Sequence, residues 1–253
     1  MSHAVGDDEL NGPERLDDVS SGRGADHRAI VEPHFSSDVL NKFEVFSYRN
    51  AASILATSFP SQFSQITEAL EKFAISRTMI RTPGGSKGPI AKYVDTLFAE
   101  SDGWRETRIS ADLRVKLLDA KRVDCVMDEY VREGFLDGHR IDFLSGRVAL
   151  DLEWNSKDQT YDRDLYAFSA FYDAGAIDVG VLITRGSSLD NSFFRSLGNV
   201  LTKNGTEGTQ EVYRKYGAST TWMGKLLYRL DAGRNGGCPV LAIGITPHCV
   251  TQD

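Results

Sequence analysis

Two short strands and a two-residue turn between them constrain this chain more than any other stretch. Gly138-His139-Arg140-Ile141-Asp142-Phe143 leads to Ser145-Gly146, and Val148-Ala149-Leu150-Asp151-Leu152-Glu153-Trp154 follows. Side chains alternate across a strand. Asp151 and Glu153 therefore share one face with Ala149, while Val148, Leu150, Leu152 and Trp154 supply the other, which reads as core. Asp142 falls on or just after the first strand. Three carboxylates this close repel and raise one another's pKa. A hard divalent cation held by oxygen ligands relieves that repulsion, so Asp142 and Asp151 are candidate metal ligands. Glu153, next on the same face, is a candidate to orient or deprotonate a water.

The rest of the chain supplies a sheet and its cover. Ala176–Thr184 and Pro239–Ile245 are continuous apolar runs, as in strands buried on both faces. Phe43–Tyr48 alternates, and Trp104–Ile109 also reads as a strand. Helical spacing appears over Ala51–Ala74, broken at Pro60, and over Tyr93–Glu100, Leu113–Phe135, Asp164–Asp173, Phe193–Leu201 and Met223–Leu230. Glu129, near the end of the Leu113–Phe135 helix, is a candidate supporting acid behind the metal ligands. Strands alternating with helices predict an α/β fold, a central mixed sheet flanked by helices.

Charge bears on what this body can bind. The net charge is −7, which at face value argues against nucleic acid. Residues 1–40, however, hold nine acids and three bases, leaving a net of −1 for the remainder. They are polar and lack hydrophobic periodicity, so a flexible acidic tail (1–40) is expected ahead of one folded domain (41–253). The 77–89 loop, with Arg77, Arg81 and Lys87, suits phosphate contacts. Asn155, Ser156 and Lys157 after the acidic strand, and Lys215 and Ser219 in a second polar loop, suit base contacts.

Other classes are disfavoured. No apolar run approaches the roughly 20 residues that span a bilayer, and MSHAVGDDEL has no secretory pattern. Cys125, Cys238 and Cys249 have no paired spacing, as expected of free thiols in a cytoplasmic protein.

The pattern Asp142, eight residues, Asp151, one residue, Glu153 resembles the core of PD-(D/E)xK nucleases, and more closely the BglII/BstYI family of type II restriction endonucleases. The likeness extends to Gly103–Arg108, to Asp164-Leu165-Tyr166 with Ala170-Phe171-Tyr172, to Ile177–Val181 and to Pro239–Pro247, covering roughly residues 43–247. It implies a restriction-endonuclease-like fold and a cytoplasmic prokaryotic homodimer. Such an enzyme would cut both strands of a short, GATC-centred palindrome in double-stranded DNA with Mg²⁺, leaving 5′ phosphates. Asp142 and Asp151 match the family's metal-binding acids. Glu153 stands where the BglII/BstYI pattern has Gln and most of the superfamily has Lys; related BamHI also has Glu. Two alternatives share the pattern: a repair or structure-selective nuclease of the same fold, and a DNA-binding protein with a degenerate nuclease core. The intact acids weigh against the second.

Overall fold

The computed structural model describes residues 19–85, 87–99, 103–122 and 124–252. Six strands form one mixed sheet. They are β1 (Phe43–Tyr48), β2 (Arg105–Leu118), β3 (Val126–Ser145), β4 (Val148–Glu153), β5 (Val179–Arg185) and β6 (Val240–Ile245). The order is β1-β6-β5-β4-β3-β2. β6, β5 and β4 run parallel, while β1, β3 and β2 pair antiparallel to their neighbours. All seven residues of β5 are buried, as its unbroken apolar run predicts.

Helices cover both faces. They are α1 (Ser37–Lys42), α2 (Ala51–Ser58), α3 (Pro60–Lys72), α4 (Arg77–Arg81), α5 (Pro89–Ala99), α6 (Thr160–Asp173), α7 (Asn191–Ser196) and α8 (Met223–Asp231). Leu55, Ile66, Leu70 and Val94 join Val148, Leu150, Val181 and Ile243 in one core. Leu165, Phe168, Leu226 and Leu230 close the other over Ala149, Leu182 and Ala242. The second packing is close: a Cβ on Gly180 would lie 2.3 Å from the Phe168 ring. Pro60 starts α3 directly after α2 ends, so the break predicted there is found.

Four regions depart from expectation; in one, Arg77–Arg81 at the head of the expected 77–89 loop is the helix α4, and Arg81 donates to the Asn199 carbonyl at 2.9 Å and pairs with Glu207. The helix expected over Leu113–Phe135 is replaced by the outer part of β2 and β3, a two-stranded ribbon whose end is tied by Asp119 N–H donating to Cys125 O at 2.9 Å. Leu113, Val115 and Leu117 follow the strand period of two. Register shifts along the ribbon blur that period and leave apolar residues at helix-like intervals as well. The tail expected over residues 1–40 is packed from residue 19 onward. Val31, Phe35 and Val39, four apart, are buried; the Ser36 hydroxyl accepts from Val39 N–H to start α1; and the Asp231 carboxylate accepts from Gly24 N–H at 2.9 Å. Residues 1–18 lie outside the described residues. The helix expected over Phe193–Leu201 stops at Ser196 because Gly198 turns at φ +74°, and Asn199–Leu201 is extended. No helix among the described residues is long and apolar enough to cross a membrane.

Candidate active site

The site forms where β3 leaves β4. The two pair from Ser145↔Val148 to Phe143↔Leu150 and then stop, while β4 stays paired with β5 as far as Glu153↔Thr184. Alternation along β3 breaks at the same place. Ile141 and Leu144 both pack on the α6 side, although they are three apart. Carboxylates bridge the gap in the ladder: Asp142 N–H donates to Asp151 Oδ1 at 2.7 Å, and Leu152 N–H donates to Asp142 Oδ2 at 3.2 Å. Behind this, the Thr184 hydroxyl donates to the Glu153 carbonyl at 2.7 Å and fixes the end of β4.

Asp151 and Glu153 project from one face, as alternation predicts, toward α6. Both are buried, at 5% and 7% exposure. Burial raises Asp151 well above the usual carboxylate range, and the Asp164 charge adds to it. Burial pushes Glu153 up to about 8; Asp164 reinforces the shift, while Ser156 and Arg163 oppose it. Asp142 is exposed at the cleft, yet partial loss of water raises its carboxyl against the pull of Leu152 N–H. Asp151 Oδ2 and Glu153 Oε2 are buried without a hydrogen-bond partner. A buried polar atom left unpaired is costly.

Two further side chains reach this cluster, and the sequence pattern had not singled them out. Asp164, on α6, is 1% exposed, and His139, on β3, puts Nε2 3.6 Å from Asp164 Oδ1. Arg163 reaches Asp164 Oδ1 at 3.0 Å and Glu153 Oε1 at 3.8 Å. One signal for Asp164 was present in the sequence. It falls in the stripe Tyr161, Asp164, Leu165, Phe168, Phe171 that α6 buries, where an acid among aromatics needs a reason.

Asp142 and Glu153 face a cleft of about 660 Å³ that Lys87, Arg140, Asn155 and Ser156 also line. The two polar loops form one wall of it. Lys157 bridges to Thr220, Asp158 N–H donates to Ser219 O at 3.0 Å, and Thr221 N–H donates to Ser156 O at 2.9 Å. Lys157 and Ser219 are exposed beside this wall but do not line the cleft. Lys215 lines the cleft too, but its ammonium donates to the carbonyls of Ile80 and Thr82. Burial lowers it to about 8. It braces the wall against α4 rather than standing free for a ligand. Glu129 is not at the site. The ribbon carries it away, paired with Arg114 at 3.1 Å and Lys116 at 3.7 Å.

A family model described as restriction endonuclease BglII/BglIII matches residues 43–245. The match starts with the first residue of β1 and ends with the last of β6, so it spans the whole sheet and both core faces. No curated protein sequence matches the chain.

Proposed function

The chain belongs to the BglII/BglIII restriction endonuclease family, and from that premise we infer that Asp142, Asp151 and Glu153 are its cutting machinery. Membership makes the chain a site-specific deoxyribonuclease, which binds DNA and hydrolyses its phosphodiester bonds. The finer reading is a type II enzyme that makes Mg²⁺-dependent double-strand cuts at a short palindrome, GATC-centred by resemblance. It would act as a homodimer in a prokaryotic cytoplasm.

One observation carries this reading: the sheet ladder opens where three acids converge, and Glu153 Oε2 is left buried without a donor. An all-oxygen donor set suits Mg²⁺, so these residues fit the cation the family implies. Asp142 and Asp151 would hold it, with the Leu152 carbonyl beside them. When bound, it supplies charge neutralisation at the scissile phosphate and acidifies a water. Glu153, next to Asp151 on the same strand face, would accept a proton from the attacking water. Lys87 and Arg140, paired in the free protein with Asp95 and Glu106, are the cleft cations that would turn to the DNA backbone. Asn155, Ser156, Lys157 and Ser219 present hydrogen-bonding groups for base edges.

Digestion of a sequenced plasmid with Mg²⁺, followed by run-off sequencing of the ends, tests the reading. All ends should carry 5′ phosphates and map to a single palindrome. An uncut plasmid, or ends scattered without a shared sequence, would overturn it. Replacing Mg²⁺ by Ca²⁺ should leave binding intact and stop turnover.

A further inference from the structure

We propose that His139, Asp151 and Asp164 form a second cation site, on the far side of the Asp151 carboxylate from Asp142, that takes a divalent transition cation such as Mn²⁺ or Co²⁺. One ligand atom from each residue lies within 4.8 Å of the others. A cation with ligands at roughly 2.1 Å needs those atoms slightly closer than this, about 3 to 4 Å apart, which small side-chain rotations provide. The three side chains come from β3, β4 and α6, so the sheet and its covering helix hold the set in place.

The unpaired atoms are the ones a cation would bind. Asp151 uses Oδ1 to accept from Asp142 N–H, and Asp164 uses Oδ1 to accept from Arg163. Each carboxylate is thus fixed through one oxygen. Asp151 Oδ2, Asp164 Oδ2 and His139 Nε2 are buried and have no hydrogen-bond partner. Positioning a ligand through its other atom is the usual support in a metal site. His139 Nε2 stands 3.6 Å from Asp164 Oδ1, within ion-pair reach but too far for a hydrogen bond.

Charge points the same way. Asp151, Glu153 and Asp164 are all buried, and Arg163, which bonds Asp164 and reaches Glu153 at 3.8 Å, is itself largely exposed. Buried carboxylates of this kind are normally paired or metal-bound. The imidazole sets the chemical class. Oxygen-only sites suit Mg²⁺, whereas an imidazole with carboxylates favours first-row transition cations. The inference rests on the proposed function only in sharing Asp151. One carboxylate between two cations would make occupancy of either site hold that side chain for the other.

Metal-free full-length protein, without DNA, should be titrated with Co²⁺ and followed by equilibrium dialysis and visible absorption. Wild type should bind Co²⁺ with a d–d spectrum that persists in Asp142→Asn. His139→Asn and Asp164→Asn should each lose the spectrum and weaken binding at least ten-fold. Equal binding by folded His139→Asn, or no Co²⁺ bound by wild type, would overturn the proposal. Should either variant unfold, pulsed EPR of Mn²⁺-loaded wild type still decides. Coupling to a directly bound imidazole nitrogen is expected, and its absence is refuting. A protein that binds Co²⁺ in this way but leaves every plasmid uncut with Mg²⁺ would break the nuclease reading and leave this site standing.

Discussion

β3 is one continuous strand whose two ends invert the ordinary rule of burial in opposite senses. At its inner end His139 and Ile141 face α6 beside Asp151 and Asp164, where carboxylates are shut away from water with oxygens unpaired. At its outer end Met127 and Tyr130 stand in solvent at 65% and 54% exposure, with Leu117 opposite at 47%. The inner end carries an electrostatic cost that a cation removes. The outer end carries apolar surface that only a covering surface removes. Stability accounts for neither arrangement.

The largest expected effect falls on the inner end. Asp151→Asn should lower the cleavage rate by about 10³-fold or more, the scale on which preorganised charge acts, while changing DNA affinity only a few-fold. Single-turnover cleavage and a gel-shift titration measure the two. The same substitution removes a buried charge, so without metal the variant should melt above wild type. A variant that cuts normally, or melts lower, would remove the contrast between a site built for function and its surroundings.

Second in size is the stability contrast within β3 itself. Ile141 is fully buried, and Ile141→Ala should cost about 2 to 5 kcal/mol by urea unfolding. Leu117→Ala on the adjoining ribbon should cost no more than about 0.5 kcal/mol, as surface changes do. Comparable losses at both positions would mean that the ribbon is part of the core.

That contrast also shows what local sequence can and cannot carry. The acidic turn was legible because every determinant of it lies within some fifteen residues: a tight turn, strict alternation and acids on one face. The buried β5 and β6 were legible for the same reason. Asp164 and His139 were not, because what joins them is α6 lying across β3, a contact between segments twenty-five positions apart. The ribbon was misread because its apolar residues satisfy two periods at once, and only cross-strand pairing such as Val115↔Tyr130 decides between them. Residues 28–42 carried a legible signal, Val31, Phe35 and Val39 at helical spacing, masked by the acidic composition around them.

The pH response sharpens the inner end further. Asp142, Asp151 and Glu153 all bind a proton more tightly in the fold than in the unfolded chain. Between the two pKa values the folded state holds more protons, so stability falls as pH rises. For Glu153 that window runs from about 4.5 to about 8. Thermal melts of metal-free protein should therefore drop across this range. Divalent cation, binding the deprotonated fold, should flatten or reverse the slope. A melting temperature independent of pH without metal would mean that these carboxylates are already compensated.

The smallest expected effect separates two meanings of the outer end. On the ribbon Leu113, Val115, Leu117 and Tyr130 share one face with Asp128 and Arg132, and Arg114, Lys116 and Glu129 share the other with Val131. Residues 110–137 hold seven acids and five bases, a balance that gives DNA phosphates no electrostatic reason to dock there. Apolar cover of the exposed face would then have to come from protein, and in the proposed homodimer a second copy is the nearest source. Leu117→Ser with Tyr130→Ser should leave the unfolding midpoint within about 0.5 kcal/mol of wild type at low protein concentration. If a second chain covers this face, a loss should emerge as concentration rises and dimer forms, because association stabilises wild type by mass action and the variant less. A penalty that is the same at every concentration would place the missing contact within one chain, and the outer end of β3 would then be ordinary fold, unlike the inner one.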